Sequence, residues 1–423
     1  MNEARRSRRD SIQNIALALL SVLAVLLFLQ SQRFSLSPTE GALLSPSSSA
    51  PISTAPLGQS TPLTLPVRAA VTGSYGRYGS VTLTTEDESF EPLRSLLEQA
   101  LGSARSLNLC SIQAFRDALQ APSLYCDFLS TLPLPILAEA VWTSSEHSLQ
   151  ARYLVLSGQG DTVSLYFWDG ASLSYRCDTD LSSAELETAV NRYDSGNAHF
   201  AYDLPEEAGE LAPFSLLPDA LPELPVLSAA AALSDTNRLL TLLDFNPNTN
   251  YRYPESDGSE TVIEGERSVR IRPNGTVTYS SGGESALVVR SQSDRPTARE
   301  AASGASALLN ELLASVTSDA KLYLTGIQQT GSTTTVTFDY QVSGIPVCFA
   351  DGTSAAEVVL DGVTVSGMTL RFRQYTAAGN TSLLLPLPQA LAIAASRPGQ
   401  ELSIGYADTG SETVSACWLA NEL

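Results

Sequence analysis

The feature that most constrains this chain is its amino-terminal segment, where an arginine cluster precedes a long apolar run. The cluster consists of Arg5, Arg6, Arg8 and Arg9, and the run of 18 residues extends from Ile12 to Leu29. As a helix it would measure roughly 27 Å, close to the roughly 30 Å hydrocarbon core of a bilayer. Because Gln30 to Arg33 form no small-residue cleavage site, we predict a retained signal anchor rather than a cleaved signal peptide or a buried core helix.

The arginines also set the predicted topology. Four of them precede the apolar run and one follows it, so the positive-inside rule places residues 1–11 in the cytoplasm. The rest of the chain would then be extracytoplasmic, on a single-pass protein of the cell membrane. Within the run, the small residues Ala18, Ser21 and Ala24 form a strip on which a partner helix could approach closely.

The charge of the remaining chain excludes one class of partner. Residues 34–423 carry 20 basic and 43 acidic side chains, a net charge of −23. Nucleic-acid binding requires clustered Lys or Arg that displace counterions from phosphates. We therefore expect no nucleic-acid partner.

Composition divides the rest of the chain into a tether and two domains. From Ser37 to Pro66, 17 of 30 residues are Ser, Thr or Pro, which predicts an extended tether over residues 30–66. The remaining length is enough for two domains of ordinary size. The acidic stretch Asp203 to Pro225 contains five prolines and places the boundary near residue 215. The predicted domains are residues 67–215 and 216–423.

Both domains are predicted to be α+β, with helices packed on antiparallel sheets. Helical spacing of apolar residues marks three helices, and the principal hairpin alternates around Pro273-Asn274-Gly275. Further alternating runs separated by Asp-Gly and Gly-Ser turns predict the remaining strands. The helices are predicted at Phe90–Leu101, Leu227–Leu243 and Thr297–Val316, with a shorter one at Pro388–Ala395.

Candidate catalytic residues are few, and no enzyme is predicted. Ser318-Asp-Ala-Lys321 matches the S-x-x-K pattern of penicillin-recognising hydrolases, but Lys321 is the only lysine, so the K-T-G strand of that family cannot exist. His147 and His199 are the only histidines. A hydrolase with a spatially assembled triad remains the alternative from another class, and it would require one of these histidines beside a Ser and an acid.

No metal or cofactor site is predicted. The five cysteines show no C-x-x-C spacing, and no calcium-loop pattern closes with a Glu. An extracytoplasmic location permits disulfides, and Cys110 with Cys126 is the nearest candidate pair.

The best candidates for partner contact in the folded body are Tyr251, Arg252 and Tyr253. In an extended segment the two tyrosines share one face and Arg252 lies on the other. Tyr and Arg are enriched at interaction hot spots. The competing interpretation is that the tyrosines pack into the core of their own domain.

Several blocks of the second domain resemble the YycH and YycI family of membrane-anchored regulators. They are Asp244 to Pro254, the hairpin Arg267 to Tyr279, the following helix, and Phe338 to Val347. The resemblance covers residues 235–420, and the order of anchor, outer body and final α+β domain also matches. PepSY-like domains of sporulation and germination proteins share some of these patterns.

The resemblance implies a regulatory role without chemistry. Proteins of this family lie beside a sensor histidine kinase of a cell-wall-related two-component system in Gram-positive bacteria and contact it through transmembrane and outer segments. A paralogous regulator would be a second partner. The alternative implied by the shared patterns is a PepSY-like interaction module of the cell envelope, sporulation or germination.

Overall fold

A computed structural model describes residues 65–81, 88–137, 149–194, 196–282, 287–289, 291 and 294–421. The predicted anchor and all but the last two residues of the tether lie outside these ranges, as do the arginine cluster and the strip of Ala18, Ser21 and Ala24. Among the described helices, none is both long and apolar enough to cross a bilayer.

The first half of the described chain builds a seven-stranded antiparallel sheet. Its strand order is β2-β1-β4-β5-β6-β7-β3. The strands are β1 (Arg68–Thr72), β2 (Tyr78–Val81), β3 (Arg105–Cys110), β4 (Ser123–Pro133), β5 (Gln150–Ser157), β6 (Thr162–Trp168) and β7 (Ser174–Ser182). The helices of this half are α1 (Glu91–Ser103), α2 (Ile112–Gln120), α3 (Leu134–Leu137) and α4 (Ser183–Val190).

Both faces of this sheet are buried. On one face, Leu93 and Leu97 of α1 pack with Leu154 of β5 in a large apolar cluster. On the other face, Phe115 of α2 packs with Tyr153 and a group of aromatic rings. Burial on both faces explains why every residue of β5 after Gln150 is buried, instead of every second one.

Short elements connect the two halves. They are a β-ladder formed by β8 (Ala198–Phe200) and β9 (Leu216–Pro218), and the helix α5 (Pro205–Ala208). The 3-10 turns Glu88–Phe90 and Ala201–Asp203 complete the first half.

The second half contains an eleven-stranded sheet and a three-stranded sheet. In the larger sheet the order is β11-β12-β13-β14-β19-β18-β16-β17-β21-β23, and β15 pairs with β16. The smaller sheet has the order β20-β10-β22. The strands are β10 (Pro225–Ala231), β11 (Arg252–Pro254), β12 (Glu260–Glu264), β13 (Arg267–Ile271), β14 (Thr276–Ser281), β15 (Ala320–Thr330), β16 (Thr333–Val342), β17 (Ile345–Phe349), β18 (Ala356–Asp361), β19 (Thr364–Arg371), β20 (Arg373–Thr381), β21 (Glu401–Asp408), β22 (Thr413–Val414) and β23 (Ala416–Asn421).

The larger sheet is covered on one face by a helix. The helices of this half are α6 (Thr236–Leu242), α7 (Ala298–Leu313) and α8 (Leu387–Ala394). Leu308 and Leu309 of α7 lie in the same apolar cluster as Val336 of β16. Residues of β16 alternate between buried and half-buried, so the face opposite α7 is partly open to solvent.

A buried network of charged side chains joins the two halves. Glu401 of β21 receives hydrogen bonds from Arg68 of β1, at 2.9 Å, and from Arg152 of β5. Arg152 also makes a two-point contact with Asp127, at 2.9 and 3.1 Å. The described part of residues 49–423 groups into one compact unit. The two large sheets lie on either side of the predicted boundary near residue 215, which itself stays a prediction.

The predicted α+β class with antiparallel sheets is confirmed. The predicted hairpin is formed by β13 and β14, whose turn has Gly275 at a φ of 83°, a left-handed value that suits glycine. The helices predicted at Phe90–Leu101 and Thr297–Val316 are observed as α1 and α7. The last helix is α8, one residue earlier than predicted.

The helix predicted at Leu227–Leu243 is wrong over its first half. Residues Pro225–Ala231 form β10, and only Thr236–Leu242 is helical. Ala229 and Ala231 pair with Tyr375 and Arg373 of β20. The ladder therefore overrides the intrinsic helix preference of the alanines, as tertiary context commonly does.

Candidate functional site

The exposed tyrosines at the edge of the eleven-stranded sheet are the strongest candidate interaction surface. Tyr251 precedes β11 and is 62% exposed, and Tyr253 within β11 is 49% exposed. Ile263 of β12 is 42% exposed and donates its N–H to the carbonyl of Tyr251 at 3.1 Å. Tyr253 lies opposite Thr261 on the same face. We call Tyr251, Tyr253 and Ile263 the tyrosine patch.

The two tyrosines therefore do not pack into the core of their own domain. The residue between them, Arg252, faces the other way: it pairs with Val262, which is fully buried in the large apolar cluster. Two residues apart in an extended segment, the Cα atoms of the two tyrosines are about 6.6 Å apart, and both side chains lie on the same face. Ile263 extends the apolar surface to the neighbouring strand.

Arg252 fastens the edge strand to the body. Its Nη2 donates to the Oδ1 of Asn237 at 2.7 Å and to the carbonyl of Pro247 at 2.8 Å. Its Nη1 lies 3.5 Å from Glu260. These bonds hold Arg252 against the body while its side chain stays 26% exposed, and its contact with a partner stays a prediction.

The backbone edge of β11 is a poor template for another strand. The strand has three residues, and Pro254 at its end has no N–H to donate. Short edge strands that contain proline are a common protection against strand addition. A partner at this site would therefore contact the side-chain face of the tyrosine patch.

Charges next to the patch are paired among themselves. Arg270 of β13 bonds Glu255 at 2.6 Å and Asp257 at 3.0 Å. Hydrogen bonds from Ser259, together with Arg270, lower the pKa of Asp257 below its ordinary value. The patch is thus an apolar and aromatic surface beside a polar rim in which Arg270 pairs with two carboxylates, a composition typical of protein contact sites.

A second candidate surface is concave and is lined by charged side chains. It is a groove of about 800 Å³ lined by β10, Phe349 and the arginines Arg371 and Arg373. Arg373 makes a two-point bond with Asp408, and Arg371 bonds Asp351 at 2.5 Å. Because both guanidinium groups are already neutralised, the groove offers no uncompensated positive charge to an anion.

The sequence-derived catalytic candidates do not assemble into a site among the described residues. Ser318 accepts hydrogen bonds from the N–H groups of Tyr375 and Ala320 at 3.0 and 3.1 Å and donates to the Tyr375 carbonyl at 3.3 Å, so it links β15 to β20. His199 lies on β8, 3.2 Å from Asp219. His147 lies outside the described residues.

The cysteines do not form the candidate pair. Cys110 and Cys126 are both free thiols. Cys110 ends β3 and Cys126 lies in β4, and the sheet order places three strands between them. At about 4.8 Å per strand this separation far exceeds the roughly 6 Å between the Cα atoms of a disulfide. Burial raises the pKa of the Cys126 thiol well above its ordinary value, which suits an inert core residue.

Metal binding has no candidate in the described part of the chain, where no cluster of three or more His, Cys, Asp or Glu side chains could hold an ion. Sequence reasoning missed two features of the described residues. One is Ile263, which the alternation Thr261-Val262-Ile263 would have placed beside the tyrosines. The other is the pairing of Arg68 and Arg152 with Glu401, for which the sequence carries no signal.

Comparisons of the chain with protein-family models, with curated proteins and with solved structures found no match.

Proposed function

We propose that this protein is a membrane-anchored, extracytoplasmic regulator that acts by protein contact and performs no chemistry. The tyrosine patch is the observation that carries the proposal. Two tyrosines and an isoleucine stand exposed on a strand that Arg252 fixes to the body. Exposed aromatic side chains that cost little entropy to immobilise are the residues that contribute most at protein interfaces.

The proposed partner is a sensor histidine kinase of a cell-wall-related two-component system in a Gram-positive bacterium. The resemblance of residues 235–420 to the YycH and YycI regulators supports this choice, and a paralogous regulator would be a second partner. The apolar run Ile12 to Leu29 supports anchoring with residues 1–11 in the cytoplasm. A shift in the two-state equilibrium of a kinase requires a differential binding free energy of only about 1 to 3 kcal/mol.

Site-specific crosslinking tests the proposal. The full-length chain carries a photo-crosslinking phenylalanine analogue at position 251, and the matched control carries it at position 75. Tyr75 is 91% exposed and lies outside the patch, and Tyr251 is 62% exposed, so both probes are accessible to solvent. Illumination of intact cells, purification and mass spectrometry would identify the adducts.

We expect a histidine kinase to be crosslinked from position 251 and not from position 75. The double variant Tyr251→Ala/Tyr253→Ala should change the autophosphorylation of that kinase, while Tyr75→Ala should leave it unchanged. An adduct with a sporulation or germination protein instead would support the PepSY-like alternative. A position 251 that yields no specific adduct would overturn the proposed contact site.

Replacing residues 12–29 with an unrelated transmembrane helix tests the contribution of Ala18, Ser21 and Ala24. If these small residues contact the kinase in the bilayer, the replacement should weaken the crosslink from position 251. An unchanged yield would confine the interface to the extracytoplasmic body.

A further inference from the structure

Three aliphatic side chains project from the region around the last helix. Leu383 is 96% exposed, Ile393 is 59% exposed and Leu385 is 46% exposed. Leu383 and Leu385 lie between β20 and α8, and Ile393 lies on α8 itself. We call these three side chains the apolar ridge.

The loop that carries Leu383 is fixed on its first side by Ser382. Its N–H donates to the carbonyl of Leu224 at 2.7 Å, and its hydroxyl donates to the carbonyl of Pro225 at 3.1 Å. The same hydroxyl accepts the N–H of Ala416 at 3.0 Å. Ser382 is only 6% exposed, so Leu383 projects from a buried, fully bonded position.

The other side of the loop is fixed by Trp418. The indole Nε1–H donates to the carbonyl of Leu385 at 2.8 Å. Between the two fixed points, Leu384 packs against the core of the second half. Because neighbouring side chains of an extended segment alternate in direction, burying Leu384 turns Leu383 and Leu385 outward.

Helix α8 carries the third ridge residue. Ala390, Leu391 and Ala394 face the body and pack with Leu211 and Leu402. Ile393 lies outside this buried face and is exposed. The exposed leucines and Ile393 are therefore mounted on a supported loop and helix, and their exposure does not come from a loosely held segment.

The ridge belongs to an uncharged stretch of the sequence of a strongly acidic protein. Residues 374–396, 23 positions in a row, contain no Asp, Glu, Lys, Arg or His, while the whole chain has a net charge of −20. The exposed ridge residues are aliphatic, whereas Tyr, Trp and Arg dominate protein hot spots. Exposed aliphatic side chains in an uncharged segment, with the indole of Trp418 hydrogen-bonded to that segment, suit the interface of a lipid bilayer.

We propose that the apolar ridge inserts into the lipid surface and docks the body on the membrane. This inference rests on the membrane anchoring in the proposed function. The 37 residues of the predicted tether, 30–66, can span at most on the order of 120 Å, which leaves the ridge within reach of the bilayer. Insertion would fix the orientation of the tyrosine patch relative to a membrane-embedded partner.

Depth-dependent fluorescence quenching tests the docking. The full-length chain is placed in phosphatidylcholine nanodiscs with and without lipids that carry a nitroxide near the headgroup. The variant Leu383→Trp reports on the ridge, and Tyr75→Trp is the matched control, since Tyr75 is 91% exposed and lies in the other half of the chain. Emission of the unsubstituted chain is subtracted to remove the three native tryptophans.

We expect the nitroxide to quench the tryptophan at position 383 about twofold or more and to leave the tryptophan at position 75 nearly unchanged, because interfacial indoles lie at headgroup depth. Adding Leu385→Asp and Ile393→Asp to the Leu383→Trp variant should abolish the quenching, since charged side chains resist insertion.

The readouts separate the two proposals. A chain that fails to co-elute with nanodiscs would overturn the anchoring in the proposed function. A chain that co-elutes but shows equal quenching at positions 383 and 75 would overturn the ridge proposal alone. Crosslinks between two copies at position 383 without lipid quenching would also overturn it and would show that a second copy covers the ridge.

Discussion

At the scale of single residues, two arginine–aspartate pairs in one groove differ in burial, and burial determines how much an ion pair contributes to stability. Arg373 and Asp408 are 9% and 2% exposed. The Asp351 side chain of the second pair, which bonds Arg371, is 54% exposed. Exposed pairs contribute about 0 to 1 kcal/mol, whereas breaking a buried pair costs about 3 to 5 kcal/mol.

Replacing Asp408 should therefore destabilise the protein far more than replacing Asp351. Asp408→Asn should lower the free energy of unfolding by about 3 kcal/mol at pH 7, because Arg373 would stay buried without its counter-charge. Asp351→Asn should lower it by less than about 1 kcal/mol. Urea unfolding of the two variants, followed by circular dichroism, gives both values. Equal losses would show that burial is not the deciding difference.

The effect of Asp408→Asn should also depend on pH. Burial alone would raise the pKa of Asp408, but hydrogen bonds from Arg373 and Tyr375 outweigh it, so the pKa lies below its ordinary value of 3.8. The stability contributed by the ionised carboxylate is then present above about pH 3.8 and is lost as the pH falls through the lower folded-state pKa. The difference between the variant and the original chain should shrink below about pH 4.

At the scale of secondary-structure elements, two glycines in helices show that helix propensity alone does not predict the effect of a substitution on stability. Gly102 in α1 has open space where a Cβ would lie. Gly304 in α7 would place a Cβ only 2.7 Å from the Cβ of Val289. The same substitution therefore meets opposite environments in the two helices.

Gly102→Ala should stabilise the protein by about 0.5 to 1 kcal/mol, because alanine is the better helix former. Gly304→Ala should destabilise it by about 1 to 3 kcal/mol, because the added methyl group overpacks the contact with Val289. Thermal unfolding by calorimetry measures both effects. A stabilising Gly304→Ala would mean that the segment around Val289 moves away at little cost.

Much of the element pattern could be predicted from sequence, since apolar spacing and turn residues are local signals. The helix α7 is capped by Thr297, whose side chain accepts the N–H of Glu300 while the Glu300 carboxylate accepts that of Thr297. This capping box is visible in the sequence. The alanines of β10 favour a helix locally. They form a strand instead, because they pair with residues of β20 about 140 positions away in the sequence.

At the scale of the whole molecule, the buried network around Glu401 couples the two halves. Arg68 and Arg152 belong to the first half, and Glu401 belongs to the second. The network holds two positive and two negative charges when Asp127 is included. Removing Glu401 would leave a net positive charge in a buried position.

Hydrogen exchange in increasing urea should report one cooperative unfolding transition across both halves. Peptides from β5 and from β14 should lose protection at the same urea concentration. In the Glu401→Ala variant the two sets of peptides should lose protection at different urea concentrations. The less stable half should lose about 3 kcal/mol of its free energy of unfolding. The exposed Glu412→Ala variant is the control and should behave as the original chain. Separate transitions in the original chain would show that the network does not couple the halves.

The candidate site shows a similar division between local and tertiary information. The sequence placed Tyr251 and Tyr253 on one face of an extended segment, since alternation is a property of the strand itself. It could not determine which face is buried, because that depends on how the rest of the second half packs against the strand. Nor could it show that Arg252 would donate hydrogen bonds to Asn237 and Pro247.

The sequence by itself determined the α+β class, the positions of the main hairpin and helices, and the scarcity of catalytic side chains, because these follow from composition and short-range periodicity. Only the tertiary structure decided that β10 is a strand, that the tyrosine patch and the apolar ridge are exposed, and that Glu401 meets Arg68 and Arg152 across 333 and 249 residues. Contacts at such separations depend on the packing of the whole chain, which no local pattern encodes.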